Sequence, residues 1–281
     1  MNPNQASRTA LMIARQRAAH QLLDHGEILF DPFALKVLGE DETDVIQFAT
    51  KHPLASIGRL FTAARSRIAE DALAEAVGRG IRQIVILGAG LDTFALRNPH
   101  GGLEIYEVDH PATQAVKLER LANAQIVAPP GLVFVPVDFE RDDLPNNHRD
   151  WLAAAGFRHN SPAFFTWLGV VPYLTQDAIG RTLDFISSIQ NSEVVFDYME
   201  PPQAFSEELR QIEKARAEQL EKMGERSDSR FEPADMAAIL GSHGFCDLED
   251  IDFQEIRSRF GGGVQGLAPG HAGLHVIHAK H

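Results

Sequence analysis

IRQIVILGAGLDT, residues 81–93, is the stretch that decides the fold of this chain. Its first seven residues form a short apolar run rich in β-branched side chains, which predicts a buried parallel strand. Gly88 and Gly90 follow at once, and glycine allows positive φ angles and lets a ligand approach the backbone closely. A helix that begins at such a turn presents free N–H groups to a carboxylate or phosphate.

Similar runs recur along the chain at intervals typical of strand–helix units. Helices are predicted between them, at 113–124 and 175–189. The last two runs predict strands that could pair antiparallel at the sheet edge. The predicted fold is therefore α/β and Rossmann-like, a mainly parallel seven-stranded sheet with helices on both faces. The further strands are expected at 103–108, 132–137, 163–168, 193–198, 246–256 and 274–279.

Helical segments flank this core on both sides. Residues 9–23 and a stretch from Leu54 or Ser56 to Val77 predict an N-terminal helical extension. Residues 201–230 are strongly charged, which predicts a solvated helix or a lid-like insert, and 233–241 predict one more helix. We expect a single domain over 1–281. Its parts are a helical cap (1–80), a cofactor-binding core (81–200), a lid-like insert (201–232) and C-terminal strands (233–281).

Composition excludes several functional classes. Acidic residues outnumber Lys and Arg by 39 to 26, and the net charge of -13 disfavours nucleic acid and anionic membranes as partners. No run approaches eighteen apolar residues, and the arginine-bearing N-terminus does not resemble a signal peptide. The single cysteine, Cys246, allows no internal disulfide and is expected to be a buried, inert thiol, which suits a cytoplasmic protein.

The glycine turn disfavours a dinucleotide. A dinucleotide fingerprint has Gly or Ala three residues after Gly90, where this chain has Thr93. Asp92 would also repel a pyrophosphate. A zwitterionic ligand with an ammonium group fits this acid better.

Two later strand ends carry further ligand signals. Asp109 follows the glycines by about twenty residues, the distance at which Rossmann-like folds place a ribose-binding acid. Glu107 lies on the same side of the strand and is open to either a ligand role or a salt bridge. Asp138 and Phe139 end the next strand, where an acid and an aromatic ring suit an adenine. His110 is expected to pack or to end a turn.

Taken together, these motifs resemble the leucine carboxyl methyltransferase-like family of S-adenosylmethionine-dependent methyltransferases, including its bacterial and polyketide-pathway O-methyltransferases. The resemblance covers nearly the whole chain. It is carried by SRTA (7–10), ARQRA (14–18), FDPFA (30–34), AARSR (63–67), GAGLDT (88–93), EVDHP (107–111), VDF (137–139) and LGVVPYL (168–174).

The resemblance implies a role for each matching residue. Arg65 would pair with the carboxylate of S-adenosylmethionine, and Arg17 would serve the same group, with Arg15, two residues earlier, as the alternative. The methionine side would lie on Gly88 and Gly90, the ribose on Asp109, and the adenine on Asp138 and Phe139.

One position departs from the family pattern. Many relatives have a glutamate where this chain has Leu168, so the amino group of the cofactor could lack one partner. This departure also weakens any inference that the acceptor is a protein, as in the eukaryotic branch.

The resemblance implies an enzyme of class EC 2.1.1.-, with O-methylation of a small-molecule acceptor, such as a carboxyl group, as the main hypothesis. Tyr173, Tyr198 and His110 are the candidates for a base or an acceptor-orienting group. The alternatives are a protein carboxyl methyltransferase, an NAD-dependent oxidoreductase, a degenerate binding protein, and a biosynthetic enzyme that uses the cofactor without methyl transfer. No metal is expected, and the oligomeric state stays open.

Overall fold

A seven-stranded sheet forms the centre of the computed structural model, which describes residues 8–51, 55–137, 151–222 and 229–281. The strand order is β3-β2-β1-β4-β5-β7-β6. Strand β7 runs opposite to the other six, so it pairs antiparallel with both β5 and β6. The predicted α/β fold and its antiparallel C-terminal pair are confirmed. The strands are β1 (Gln83–Leu87), β2 (Glu104–Asp109), β3 (Leu132–Pro136), β4 (Ala163–Trp167), β5 (Glu193–Met199), β6 (Asp247–Asp252) and β7 (Leu274–Lys280).

Helices cover both faces of this sheet. Period-two alternation assigns the faces: Ile84 and Ile86 of β1 pack on one side, and Val85 and Leu87 pack on the other. The helices are α1 (Arg8–Leu23), α2 (Ala34–Leu38), α3 (Glu42–Thr50), α4 (Ala55–Gly78), α5 (Phe94–Arg97), α6 (Pro111–Asn123), α7 (Gln176–Ser187), α8 (Glu207–Lys222), α9 (Pro233–Ser242) and α10 (Phe253–Phe260). Residues 151–154 are also helical.

The strand order places a crevice at one edge of the sheet. From β1 the chain proceeds outward through β2 to β3, and then returns to the other side of β1 as β4. At such a reversal the loops after β1 and β4 diverge, which leaves a cleft outside the carboxyl ends of the parallel strands. The glycine turn after β1 therefore lies where a ligand can enter.

The N-terminal helices form a third apolar cluster beside that edge. Ala18 of α1 and Leu38 of α2 are fully buried there, against Leu91 from the glycine turn and Leu121 of α6. Helices α2 and α3 were not predicted, because five and nine residues offer too little periodicity to detect. Their packing brings α1 close to the glycine turn.

Two C-terminal predictions are wrong. The predicted strand 246–256 ends at Asp252, whose side chain accepts a hydrogen bond of 2.8 Å from the Glu255 N–H and thereby begins α10. Phe253 and Ile256 are both fully buried at helical spacing. Cys246 is exposed rather than buried, because it precedes the edge strand β6, which pairs on one side only.

A buried carboxylate joins the N-terminal helices to the C-terminal part of the chain. Asp24 accepts hydrogen bonds from Arg59 Nε on α4 (3.0 Å) and from the Gln265 N–H (2.8 Å), and it contacts His20 Nδ1 (3.0 Å). Burial alone would raise the pKa of Asp24, but the hydrogen bonds from His20, Arg59 and Gln265 lower it below its usual value. The ionised form therefore stabilises the fold.

Replacing this carboxylate should destabilise the protein strongly. Asp24→Ala leaves Arg59 buried without its charge partner, so we expect the free energy of unfolding at neutral pH to fall by about 3–5 kcal/mol. Because the folded pKa of Asp24 is lowered, its contribution is complete above the unfolded pKa and disappears as pH falls through the folded one. Urea denaturation at several pH values measures both effects.

The exposed pair Arg67–Asp71 is the matched control, with both side chains about half exposed. Asp71→Ala should change the free energy of unfolding by less than about 1 kcal/mol, because water screens the pair. An equal effect of the two substitutions would contradict the structural role assigned to Asp24.

Candidate functional site

The glycine turn after β1 is held against β2 and the loop after β4. Gly88 and Gly90 have φ angles of +66° and +52°, which favour glycine. The Gly88 N–H donates to the Val108 carbonyl at 2.8 Å. A Cβ on Gly88 would lie 2.3 Å from Cγ2 of Val170, so a side chain here would displace the loop after β4. The turn thus needs glycine for both its conformation and its contacts.

Asp109, the last residue of β2, is hydrogen-bonded to this turn. Its Oδ2 accepts a hydrogen bond from the Gly90 N–H, and its Oδ1 accepts one from the His110 N–H at 2.6 Å. Burial raises the pKa of Asp109, although both amides, Lys117 and His110 oppose that shift. The two strand-end signals that lie nineteen residues apart are therefore in direct contact.

Arg17 lies on the other side of the turn. Its Nη1 donates to the Leu91 carbonyl at 3.1 Å, and its Nη2 donates to Asp92 Oδ2 at 3.2 Å. Arg15 instead pairs with Glu40 at 2.7 Å, away from the turn. Burial alone would raise the pKa of Asp92, but Arg17, Lys117 and Arg97 together lower it. Arg17, rather than Arg15, is thus the arginine at the turn.

Thr93 lies where a dinucleotide fingerprint has Gly or Ala, and its side chain binds Asp31. Its hydroxyl donates to Asp31 Oδ2 at 2.5 Å, and Arg97 lies 3.8 Å from the same oxygen. Arg97 also binds Glu70 of α4, with Nη1 2.7 Å from Oε2. Asp31 and Glu70 were missed by the sequence analysis, although Asp31 belongs to the family-like stretch FDPFA. These bonds connect α4 and the segment before α2 to the turn.

Glu107 of β2 forms a buried salt bridge with Lys117. Lys117 Nζ of α6 lies 2.5 Å from Glu107 Oε2, and each side chain is only 2% exposed. Burial raises the pKa of Glu107, and Lys117 opposes the shift. The structure therefore favours the salt-bridge alternative for Glu107.

Among the described residues, acidic groups outnumber basic groups in the ion pairs and hydrogen bonds around the turn. Five of these side chains are carboxylates and three are cations, so a ligand that carries positive charge fits them better than a polyanion. The carboxylates are Asp31, Glu70, Asp92, Glu107 and Asp109, and the cations are Arg17, Arg97 and Lys117.

Arg65 reaches the loop after β4 from α4. Its Nη1 donates to Asp197 Oδ2 at 2.9 Å, and Asp197 Oδ1 accepts from the Gly169 N–H at 2.5 Å. Gly169 precedes Val170, which touches Gly88, so Arg65 and the glycine turn contact the same loop. Leu168 is half-buried and packs against the apolar cluster on the α4 face. Asp197 was not identified from the sequence.

The predicted acid–base candidates have different surroundings. Tyr173 is half-buried in a 3-10 turn, Val171–Tyr173. Tyr198 is fully buried and its hydroxyl donates to Asp250 Oδ2 at 2.5 Å; burial, followed by Asp250, raises its pKa far above the usual value. Tyr198 is thus poorly suited to accept a proton.

His110 precedes the first residue of α6, and its Nδ1 accepts a hydrogen bond from the Ala112 N–H at 3.1 Å.

Asp138 and Phe139 lie outside the described residues. The last described residue before them is Val137, whose N–H donates to the Asp109 carbonyl at 2.8 Å. The chain therefore enters this segment beside Asp109.

His275 lies beside Tyr198 and between two carboxylates. His275 stacks on the Tyr198 ring with centroids 4.7 Å apart, and its two ring nitrogens each lie 2.9 Å from a carboxylate oxygen, one of Asp250 and one of Glu200. Burial alone would lower the pKa of His275, but the two carboxylates raise it. Both nitrogens can donate at once only in the imidazolium form.

The described residues form neither a metal site nor a membrane-spanning helix. Within residues 8–51, 55–137, 151–222 and 229–281, no group of three or more His, Cys, Asp or Glu is arranged to hold a metal ion. No helix in that part of the chain is both long and apolar enough to cross a bilayer.

The chain is similar to known proteins along most of its length. A family model described as leucine carboxyl methyltransferase matches residues 10–187. YktD of Bacillus subtilis, a protein assigned as an S-adenosyl-L-methionine-dependent methyltransferase, is 30% identical over 99% of both chains. A Mycolicibacterium smegmatis protein with the same assignment is 29% identical over 90% of this chain and 84% of its own.

Two solved structures show the likeness of fold alone. The CurJ carbon methyltransferase has a TM-score of 0.51 at 17% identity, covering 96% of this chain and 66% of its own. A Bordetella parapertussis protein has a TM-score of 0.50 at 16% identity, covering 96% and 94%.

The contacts of His275 with Asp250 and Glu200 should make the free energy of unfolding depend on pH. The folded pKa of His275 is raised, so its contribution to the free energy of unfolding is complete below its unfolded pKa, about 6.5, and is lost as pH rises through the folded pKa. We expect the stability difference between the wild type and His275→Gln to shrink as pH rises above the unfolded pKa, about 6.5, and through the folded pKa. Urea denaturation at a series of pH values from below to above about 6.5 measures the difference.

His243→Gln is the control, because His243 pairs with Asp184, whose side chain is 64% exposed. A screened pair of this kind should contribute little at any pH. A pH-independent difference for His275→Gln would show that no charge is held between Asp250 and Glu200.

Proposed function

Because the chain belongs to the leucine carboxyl methyltransferase family, whose relatives are assigned as S-adenosyl-L-methionine-dependent enzymes, we propose that it methylates an oxygen of a small-molecule acceptor. Its class is EC 2.1.1.-, and its cofactor is S-adenosyl-L-methionine. The observation that carries the proposal is the contact between Asp109 and the glycine turn, with Arg17 beside that turn and Arg65 of α4 against the adjoining loop.

The residues at this edge fit a zwitterionic, sulfonium-bearing nucleoside. Two features of the described residues support the fit: the excess of carboxylates around the turn, and the buried Nε of Arg65, which has no hydrogen-bond partner. Asp109 would accept from the ribose hydroxyls, and Gly88 and Gly90 would line the methionine side. Asp138 and Phe139 would hold the adenine, and Arg65 and Arg17 would serve the carboxylate.

Positioning is the main task left to the protein. The bound cofactor supplies a methyl group that its positive sulfur already activates. The surrounding residues need to hold the acceptor oxygen in line and exclude water, and such alignment contributes several kcal/mol. A carboxylate acceptor is ionised near neutral pH and needs no base.

The surroundings of the tyrosines favour an acceptor of that kind. Tyr198 donates its proton to Asp250 and has a strongly raised pKa, so it does not serve as a base. Tyr173, in the turn after β4, is the better candidate for orienting an acceptor. We therefore propose a carboxylate-bearing small molecule, with Tyr173 beside it.

The insert at 201–232 is proposed to act as the lid of this site. Arg230 donates to the Glu200 carbonyl at the end of β5 and to Glu213 of α8, each at 3.1 Å. These bonds hold α8 near the carboxyl edge of the sheet. Together with the cap at 1–80, it would cover the acceptor and exclude water.

A labelled-methyl assay tests the proposed function. The protein is incubated with S-adenosylmethionine labelled at its methyl group and with a panel of small carboxylic acids, phenols and peptides. Label transferred to a small carboxylic acid supports the proposal. Label transferred only to peptides would assign protein methylation instead, and cofactor binding without transfer across the panel would contradict methyl transfer to these acceptors.

Asp109→Ala should weaken cofactor binding while the fold persists. Loss of two charge-assisted hydrogen bonds to the ribose, at about 1.5–3 kcal/mol each, predicts an affinity for S-adenosylhomocysteine at least about a hundredfold lower. Calorimetric titration measures the affinity, and circular dichroism verifies the fold.

Asp252→Ala is the control, because Asp252 also accepts from a backbone N–H but begins the remote helix α10. It should leave the affinity unchanged. Unchanged affinity in Asp109→Ala would refute the assignment of the ribose to Asp109.

A further inference from the structure

Arg65 is held by three groups that come from three different parts of the chain. Its guanidinium carbon lies 5.7 Å from the centre of the Phe61 ring, one helical turn earlier on α4. Asp197 of β5 accepts from Nη1, and Gly169 of the loop after β4 lies against the guanidinium. The side chain of Arg65 is 6% exposed, so water does little to screen these contacts.

Asp197 bonds to one side of the guanidinium and leaves the Nε side without a hydrogen-bond partner among the described residues. The carboxylate bonds to Nη1 only, while the buried Nε has no partner among the described residues. The edge formed by Nε and Nη2 is the one that can donate two parallel hydrogen bonds to a carboxylate. The orientation set by Asp197 therefore presents that edge for a bidentate contact.

Gly169 lies against the guanidinium beside Nη2, where a side chain would displace it. A Cβ on Gly169 would lie 2.8 Å from Nη2 and 3.1 Å from Nη1 of Arg65, and its φ of +74° also favours glycine. The Gly169 N–H in turn donates to Asp197 Oδ1, so the same residue holds the carboxylate that holds the arginine. Any larger side chain here would push the guanidinium away.

We propose that Asp197 and Gly169 are positioning residues that aim Arg65 at the carboxylate of the cofactor's methionine end. The inference rests on the proposed function, because it takes Arg65 as the partner of that carboxylate. Asp197 does not contact the ligand in this arrangement. It holds one Arg65 nitrogen, Gly169 leaves space beside the other, and the remaining fork recognises an amino-acid carboxylate.

The experiment compares two ligands that differ in the group at issue. S-adenosylhomocysteine has the amino-acid carboxylate, and methylthioadenosine lacks the whole amino-acid end. Affinities for both are measured by calorimetry for the wild type, Arg65→Lys, Asp197→Asn, Gly169→Ala and the double variant Arg65→Lys/Asp197→Asn. Asp197→Asn keeps the size of the side chain, and Arg65→Lys keeps the charge but loses the fork.

We expect each single substitution to weaken binding of S-adenosylhomocysteine about tenfold, as for one charge-assisted hydrogen bond, and to leave methylthioadenosine binding unchanged. The double variant should bind no more weakly than Arg65→Lys, because both changes disable the same fork. A loss confined to one ligand is not what a general structural defect would produce.

Two control variants match these changes away from the site. Glu193→Gln removes a carboxylate from an arginine pair, with Arg79 at 2.6 Å, at the other end of β5. Gly102→Ala changes a glycine with a φ of +72° and nothing within 4 Å of a Cβ. Both should leave the two affinities unchanged.

Several outcomes separate this inference from the proposed function. Equal weakening of both ligands by Asp197→Asn and Gly169→Ala, or additive losses in the double variant, would overturn the positioning role. Loss in Arg65→Lys without loss in the other two would also overturn it, while leaving the proposed function intact. A wild type that binds neither ligand would overturn the proposed function itself.

Discussion

The hydrogen bond from the Gly90 N–H to Asp109 is the interaction on which the site depends. It joins the turn after β1 to the end of β2, and the positive φ angles of Gly88 and Gly90 make that approach sterically permissible. The carboxylate is largely buried, so its ionised form needs the two amides that it accepts and the charge of Lys117 nearby. The three cations at this edge, Arg17, Arg97 and Lys117, offset only part of the negative charge that its carboxylates bury.

Ion pairs then determine where the N-terminal helices lie. Arg17 binds the turn directly, and Arg97 connects the turn to Glu70 of α4. Further from the site, Asp24 joins Arg59 to the backbone at Gln265. Buried charges are costly when they are unpaired, so these pairs select one arrangement of helices over others that would bury a similar apolar area. The same helices contribute Arg65 to the site.

A helix or strand could be predicted from the sequence where its apolar residues form a pattern long enough to detect. The seven strands were located within a few residues, because buried parallel strands have continuous apolar runs with glycine or acid at their ends. Helices α2 and α3 were too short to detect. The strand predicted at 246–256 was too long, since the Asp252 cap and the buried faces of Phe253 and Ile256 begin a helix within the same apolar run. Cys246 was placed inside from its residue type, although its position beside an edge strand exposes it.

The sequence by itself determined the fold class and the family, because apolar runs and short motifs recur along most of the chain. It also indicated the glycine turn and the acid at 109, because these follow from residue types at close spacing within one strand–turn–strand unit. Only the tertiary structure decided the partners: Arg17 rather than Arg15 at the turn, Lys117 for Glu107, Asp31 for Thr93, and Asp197 with Gly169 around Arg65. The last of these joins residues 132 positions apart. Contacts of this kind arise from the crossing of helices over the sheet, and no local pattern of residues specifies which buried charges will meet.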